Sequence, residues 1–150
     1  MVLPSKITTQ SAEATQRLGA EFGHSLLEKG SGLPKVLCLW GELGSGKTTF
    51  VQGIAKGIGI ASRLLSPTFI IVRRYDIPKT EIVLYHLDLY RMRGNTDIEG
   101  LGFKDMLKDP NALVVIEWPE RLGTFLPVRR IDARFAVTEG DQHTIDIKEV

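Results

Sequence analysis

The chain has 150 residues, of which 43% are hydrophobic and 25% are charged, and its formal net charge at pH 7 is +1. A chain of this length and composition is expected to fold as one globular domain with its own buried core. The near-neutral charge gives no electrostatic argument for a nucleic-acid-binding or anionic-membrane-binding protein, so neither DNA nor a membrane is expected as a partner.

The single cysteine, Cys38, has no second cysteine with which to form an internal disulfide, and it lies in the apolar run "KVLCLW". We therefore expect a small core residue in a reducing compartment. No apolar stretch approaches the roughly 18 residues of a membrane span, and the N-terminus lacks the apolar centre of a signal peptide. These features indicate a cytoplasmic protein.

The first predicted helix begins after Ser11, a suitable N-cap, and has Glu13 in its first turn, where the helix dipole favours an anion. "KVLCLW" (35–40) follows as a continuous apolar run, which is typical of a strand covered on both faces. The apolar residues of the helix recur every four positions, which predicts one buried stripe ending before the glycines at 30–32. This stripe consists of Ala14, Leu18, Phe22 and Leu26.

A second helix is predicted from about Gly46 to the glycines at 57–59. Two runs rich in β-branched and aromatic residues follow, "FIIVRRY" (69–75) and "IVLYHLD" (82–88). The intervening "DIPKT" predicts a hairpin between them, because its proline is unsuited to a central strand. Residues 95–108 are mixed in character and predict one or two short helices.

The last third of the chain predicts a buried strand and a closing hairpin. "ALVVIEW" (112–118) is another continuous apolar run. Hydrophobic residues alternate with more polar ones from Ile131 to Val137, and the alternation resumes at Ile145 after "EGDQ". The pair Arg129-Arg130 before this hairpin could touch a partner or RNA, but two basic residues are a weak signal and a solvated pair is expected. Buried strands of the parallel type, helices and antiparallel pairs together predict an α/β mixed sheet.

Residues 41–48, "GELGSGKT", fit the phosphate-binding pattern G-x-x-x-x-G-K-[ST] between a predicted strand and a predicted helix. Glycines let the backbone turn sharply, so that N–H groups and the positive end of the helix face polyphosphate oxygens. Lys47 would reach the β- and γ-phosphates, the Thr48 hydroxyl would hold Mg²⁺, and Thr49 would add a contact further back. A plain strand-to-helix turn is the alternative, but chance matches to this pattern are rare.

Besides the hydroxyl of the phosphate-binding loop, magnesium needs an acidic ligand, which usually lies at the end of a neighbouring strand. Two strand ends qualify, because Asp88 closes "IVLYHLD" and Glu117 closes "ALVVIEW". A solvated strand terminus is the alternative for either residue. The guanine-specific segment N-K-x-D does not occur, which favours ATP. "SPTF" (66–69) resembles a switch loop whose hydroxyl senses the γ-phosphate, although a simple turn before a strand has the same composition.

Four motifs occur in an order that resembles the TsaE (YjeE) family of small bacterial ATPases: "GELGSGKTTFVQGIAKGIGI", "SPTFIIVRRY", "YHLDLYR" and "IEWPER". The resemblance runs from about residue 8 to 127, and the closing hairpin matches in kind. It implies a single domain over residues 1–150. The fold class that it implies is α/β, a three-layer P-loop NTPase domain with a mixed parallel and antiparallel sheet and a C-terminal β-hairpin.

The resemblance also implies a function. Such a protein is an ATP-binding and ATP-hydrolysing subunit, required to form the threonylcarbamoyl group on adenosine 37 of tRNAs that read codons beginning with A. Its implied partners are the proteins TsaD and TsaB, and tRNA is engaged indirectly through their complex. The implied activity is a Mg²⁺-dependent ATPase that is slow without these partners. Arg73-Arg74 departs from the family pattern and leaves partner contacts in that segment open.

Residue roles carry over by motif. Lys47, Asp88 and Thr68 would be catalytic, with Asp88 orienting water and Thr68 lying in the switch-like loop. Thr48 and Glu117 would hold Mg²⁺. The residues that would bind the nucleotide are Gly41, Leu43, Gly44, Ser45, Gly46, Lys47, Thr48, Thr49 and Trp118.

Two histidines outside these roles are expected to support the structure. His86 alternates with Asp88 along its strand and should face the same side, as a packed or supporting residue rather than a base. His143 should be a surface or hydrogen-bonding residue.

Two other function classes remain open from the sequence. A small-molecule or nucleoside kinase uses the same loop, but it usually needs an arginine-bearing lid, and the acids among residues 91–108 argue against one. A module that holds ATP only as a structural ligand would not need Lys47, Asp88 and Glu117 together.

Overall fold

The computed structural model describes residues 6–60, 71–92, 95–140 and 142–150, which form a seven-stranded mixed sheet with helices on both faces. The predicted strands and helices are present at the expected places among these residues, and both predicted hairpins form. In chain order the elements are β1 (Lys6–Thr9), α1 (Ala12–Leu27), β2 (Val36–Trp40), α2 (Lys47–Gly57), β3 (Val72–Asp76), β4 (Val83–Asp88), α3 (Asn95–Gly100), α4 (Phe103–Lys108), β5 (Ala112–Glu117), a 3₁₀ segment (Pro119–Phe125), β6 (Ile131–Val137) and β7 (His143–Glu149).

The strand order is β1-β7-β6-β2-β5-β4-β3. The four central strands β6, β2, β5 and β4 run parallel, while β1, β7 and β3 pair antiparallel to their neighbours. The carboxyl ends of β2, β4 and β5 therefore meet at one edge of the sheet. In this register Asp88 lies directly opposite Glu117, so the two predicted acids are neighbours.

The sheet separates two hydrophobic cores and makes the domain three-layered, as predicted. Alternate residues of β2 point to opposite faces, so Leu37 and Leu39 pack against α1 and α2. Cys38 packs instead on the face that carries α3, α4 and the 3₁₀ segment. Its thiol is fully buried, as expected, and burial raises the pKa of Cys38 to about 12.

Helix α1 packs unusually close to α2 through glycines. Its N-cap is Ser11, as predicted, whose Oγ accepts a hydrogen bond from the N–H of Ala14 at 3.0 Å. The buried stripe differs from the prediction, because Ala14 and Leu18 are only partly buried while Gly19 and Gly23 are fully buried. A Cβ built on Gly19 would lie 2.3 Å from the carbonyl oxygen of Phe50, so only glycine lets the backbones approach this closely.

Further features differ from the sequence prediction or lie outside it. Strand β1 and the 3₁₀ segment were not predicted. Arg130 is not solvated, because it forms an ion pair with the buried Asp132 at 2.9 Å and only 15% of its side chain is exposed. Thr68 and the rest of "SPTF" lie outside the described residues. None of the described helices has the length and apolar character needed to cross a membrane.

Candidate nucleotide-binding site

The loop between β2 and α2 is built around two left-handed glycines. The N–H of Ser45 donates to the carbonyl of Glu42 at 3.2 Å and closes a turn, in which Gly44 has a φ of +77°. A positive φ at this turn position favours glycine. Gly46, the N-cap of α2, has a φ of +107°. The two glycines thus turn the chain from the end of a buried strand into a helix within six residues, 41–46.

Apart from that of Ser45, the backbone N–H groups at the start of α2 and at the loop glycines lack acceptors among the described residues. The N–H of Phe50 bonds to the carbonyl of Gly46 at 3.0 Å and begins the regular helical pattern. The N–H groups of residues 47–49 precede that pattern and have no intrahelical acceptor. Those of Gly44 and Gly46 likewise make no hydrogen bond with the part of the chain that the structure describes. Unpaired amides at the positive end of a helix suit an anion with several oxygens.

Lys47 is held inside the site, with only 5% of its surface exposed. Its Nζ donates a hydrogen bond to the carbonyl of Gly41 at 2.5 Å and lies 3.8 Å from the ring centroid of Trp118. Trp118 follows β5 directly with a φ of +61° and packs against Tyr90 in a tilted arrangement, the two ring centroids being 5.0 Å apart. Burial lowers the pKa of Lys47, while nearby carboxylates, Glu117 foremost, act in the opposite direction.

Glu117 joins the loop helix to the neighbouring strands. Its carboxylate is buried, and Oε1 accepts a hydrogen bond from the Thr48 hydroxyl at 3.4 Å. The other oxygen, Oε2, lies 2.7 Å from Nε2 of His86, which is also buried. His86 is therefore a packed, supporting residue, as expected, and the group that it supports is Glu117. Hydroxyl and carboxylate oxygens are the hard ligands that Mg²⁺ prefers, so Thr48 and Glu117 fit this ion.

Asp88 adds a second carboxylate at the same edge. Its Oδ1 accepts a hydrogen bond from the N–H of Tyr90 at 3.2 Å. Burial raises the pKa of Asp88, and the negative charge of Glu117 raises it further. Two adjacent carboxylates repel each other, and a cation or a water-bound proton between them relieves that repulsion.

A cleft of about 460 Å³ runs past these groups, within the usual size range for ligand pockets. It brings together most of the predicted residues, whereas Gly41 and Ser45 do not line it. Gly41, the first residue of the loop, accepts the hydrogen bond from Lys47, and Ser45 is buried with an Oγ that has no partner among the described residues. The predicted residues that line the cleft are Leu43, Gly44, Gly46, Lys47, Thr48, Thr49, Asp88, Glu117 and Trp118.

Four further residues line the cleft that were not assigned to it from the sequence: Ala12, Thr15, Tyr90 and His143. Ala12 and Thr15 stand in the first turn of α1 and carry no motif of their own. Tyr90 lies within "YHLDLYR", so its place in a motif was a signal for its position. His143 opens β7, and no local pattern connects it with the loop.

The family model described as threonylcarbamoyl adenosine biosynthesis protein TsaE matches residues 9–145. The tRNA threonylcarbamoyladenosine biosynthesis protein TsaE of Treponema pallidum (strain Nichols) is 38% identical over 122 residues, or 81% of this chain and 84% of that protein. The protein of the same name from Rickettsia bellii (strain RML369-C) is 30% identical over 147 residues, or 97% and 96%. The crystal structure of Bacillus subtilis YdiB superposes with a TM-score of 0.74 at 28% identity, over all of this chain and 88% of that one.

Proposed function

Because the chain belongs to the TsaE family and acts in tRNA threonylcarbamoyladenosine biosynthesis, we propose that it serves this pathway as a Mg²⁺-dependent ATPase. The observation that carries the proposal is the contact between Thr48 and Glu117. A hydroxyl at the N-terminus of α2 and a buried carboxylate at the end of β5 meet at 3.4 Å beside unpaired loop amides. A magnesium-bound triphosphate has the complementary charges and the complementary geometry.

Different groups of the chain would bind the phosphates and the Mg²⁺ ion of MgATP. The amides of Gly44 and of residues 46–49 would donate to the phosphate oxygens, and the Lys47 ammonium would move from Gly41 towards the β- and γ-phosphates. Thr48 and Glu117 would hold Mg²⁺, which when bound supplies charge neutralisation at the phosphates. Trp118 already covers Lys47 and would border the same phosphates.

Asp88 is the proposed group for hydrolysis. It lies beside Glu117 at the phosphate end of the cleft, and the causes that raise its pKa also make its ionised carboxylate a stronger acceptor of a hydrogen bond from water. Its role would be to orient the attacking water by accepting a hydrogen bond from it. Lys47 would neutralise negative charge on the transferred phosphoryl group. Thr68 is proposed as a sensor of the γ-phosphate. Such a site is expected to turn over slowly until partners complete it.

The proposed partners are TsaD and TsaB, with tRNA engaged through their complex rather than by this chain directly. A net charge of +1 supports indirect engagement, because a protein that binds tRNA by itself usually presents a strong positive field. A role in tRNA modification, together with the unpaired Cys38, supports a cytoplasmic location.

Membership of the TsaE family does not favour the alternative of a small-molecule or nucleoside kinase. The kinase reading requires an acceptor whose phosphorylation depends on ATP. Incubation with candidate nucleosides and metabolites should give free phosphate and no phosphorylated acceptor. Transfer to an acceptor at a rate above hydrolysis would reinstate this alternative.

The test of the proposed function is a reconstituted assay of ATP hydrolysis and tRNA modification. We expect slow hydrolysis by the chain alone, faster hydrolysis with TsaD and TsaB, and continued modification only with ATP. Lys47→Ala should stop both reactions, whereas Lys148→Ala, an exposed lysine on β7, should leave both unchanged. Absence of hydrolysis in every combination would contradict the proposed ATPase activity. Hydrolysis that neither TsaD nor TsaB stimulates would contradict the proposed assembly with these partners.

A further inference from the structure

His143 touches the phosphate-binding loop although it lies 98 residues away in the sequence. It opens β7, and the pairing of β7 with β6, and of β6 with β2, carries it to the side of the loop. Its Nδ1 lies 2.8 Å from the carbonyl oxygen of Ser45. A carbonyl oxygen only accepts hydrogen bonds, so Nδ1 must carry the proton in this contact.

The contact fixes one peptide plane. The Ser45–Gly46 peptide is planar and trans, so the Ser45 C=O and the Gly46 N–H point in opposite directions. While His143 holds the carbonyl on its own side, the N–H of Gly46 must point to the other side. That N–H is one of the donors left unpaired at the mouth of the loop. Through the peptide plane, His143 therefore determines where a phosphate-binding donor is aimed.

A tether at this position has a physical reason. Glycine accepts positive and negative φ with similar ease, so a peptide next to Gly46 can rotate at little cost. The other side of Ser45 is already restrained, because its N–H donates to Glu42 at 3.2 Å. The histidine ring also packs against Gly46, where an added Cβ would lie 3.4 Å from Nδ1. With both restraints the loop is held in the orientation that presents its amides before any ligand arrives.

We propose that His143 is a positioning residue for phosphate binding, which acts by holding the Ser45 carbonyl and thereby aiming the Gly46 N–H at the nucleotide. This proposal rests on the proposed function, because it assumes that the loop binds a nucleotide phosphate. It assigns to the C-terminal hairpin a part in the site that lies outside all four sequence motifs. The loop is thus shaped in part by a strand two places away in the sheet.

Two substitutions of His143 separate hydrogen bonding from packing. His143→Phe keeps a ring but has no donor, whereas His143→Asn places an amide nitrogen close to the position of Nδ1. The matched control is Thr144→Val, the next residue of β7, whose hydroxyl donates to the Ala136 carbonyl at 3.5 Å and makes no contact with the loop. Each variant is titrated with MgADP by calorimetry, and its thermal unfolding midpoint is measured without nucleotide.

We expect His143→Phe to bind MgADP roughly three- to tenfold more weakly, the range for loss of one hydrogen bond. His143→Asn should stay within about twofold of the parent chain, and so should Thr144→Val. A purely structural role predicts instead that affinity falls only in proportion to a lowered unfolding midpoint and that asparagine does not rescue it. Equal affinity of His143→Phe and the parent chain would overturn the positioning role.

A second measurement needs no variant. The ring nitrogen chemical shifts of His143 in the nucleotide-free parent chain should show the tautomer protonated at Nδ1, or the doubly protonated ring, near neutral pH. The tautomer protonated only at Nε2 would overturn the proposal, whether or not the variants fold. A parent chain that binds no nucleotide would contradict the proposed function, whereas normal binding with the Nε2 tautomer would contradict only the positioning role.

Discussion

His86 and Glu117 meet inside the protein, with Nε2 of the histidine 2.7 Å from Oε2 of the carboxylate and only 3% and 4% of the two side chains exposed. The pairing occupies one carboxylate oxygen and leaves Oε1 directed at Thr48. A buried carboxylate would otherwise rotate or take up a proton to escape its desolvation cost. The orientation of the candidate magnesium ligand is therefore set by a histidine on the adjacent strand.

Replacement of His86 should separate a structural effect from an effect on metal binding. His86→Leu leaves Glu117 Oε2 buried without a donor, which should lower the free energy of unfolding by about 1–3 kcal/mol. His86→Gln keeps a donor near the position of Nε2 and should recover most of this loss. Urea denaturation measures the free energy of unfolding, and titration of Mg²⁺ in the presence of ATP measures the affinity for Mg²⁺. Unchanged stability and unchanged Mg²⁺ dependence in His86→Leu would contradict the pairing.

Asp88→Asn should reduce turnover much more than binding. Asparagine keeps the size of the side chain and an oxygen that accepts from the Tyr90 N–H, but it lacks the charge that orients water. We expect a loss of about a hundredfold or more in the rate of ATP hydrolysis, the range for a positioned proton acceptor. MgATP affinity should stay within a few-fold of the parent. Asp76→Asn, an exposed carboxylate paired with Arg74, is the control and should change neither quantity.

Thr48 should govern the magnesium dependence of nucleotide binding. Thr48→Val has nearly the same shape without the hydroxyl, while Thr48→Ser retains the hydroxyl. Calorimetry with ATP in Mg²⁺ and in chelator should show that Mg²⁺ tightens binding to the parent and to Thr48→Ser but much less to Thr48→Val. All three proteins should unfold at similar temperatures, because Thr48 is exposed and its hydrogen bond to Glu117 is long, at 3.4 Å, and lies at the cleft, where water can replace it. Equal tightening in Thr48→Val would exclude Thr48 as a ligand.

The contact between α1 and α2 should tolerate no side chain at Gly19. An added Cβ would lie 2.3 Å from the Phe50 carbonyl, so Gly19→Ala must push the helices apart at a cost of about 1–3 kcal/mol. Gly100→Ala is the matched control, because a Cβ there meets nothing within 4 Å and alanine favours a helix. Thermal and urea unfolding measure both. A Gly19→Ala protein as stable as the parent would show that α1 and α2 do not pack as closely at Gly19 as the structure indicates.

The features that the sequence predicted well are those encoded in a few adjacent residues. Continuous apolar runs predicted β2 and β5. The G-x-x-x-x-G-K-[ST] pattern predicted the loop, because the residues that shape the loop are adjacent in the sequence. Asp88 and Glu117 were found because each ends an apolar run, and parallel pairing brings such ends to one edge. Local patterns were therefore enough to predict which residues meet at this end of the cleft.

The features that were missed depend on contacts between distant segments. β1 has four residues, of which only Ile7 is apolar and only Thr9 is buried, so its pattern is too short to identify without its partner β7. The α1 stripe was assigned to its apolar residues, although Gly19 is buried because α2 approaches it. His143 reaches Ser45 only through the strand order β7-β6-β2, which no short segment encodes. Arg130 was expected in solvent because the sequence does not reveal that Asp132 is buried. The buried Asp132 carboxylate is what draws Arg130 into an ion pair.

The most direct test of the account is a calorimetric titration of MgATP into the folded chain and into its Lys47→Ala variant, with Lys148→Ala as the control. Convergence of the loop amides and Lys47 on a triphosphate predicts saturable binding at one site in the parent and in Lys148→Ala, and binding at least tenfold weaker in Lys47→Ala. A folded parent chain that takes up no MgATP, alone or with TsaD and TsaB, would contradict the nucleotide site. Equally tight binding by Lys47→Ala would place the nucleotide elsewhere.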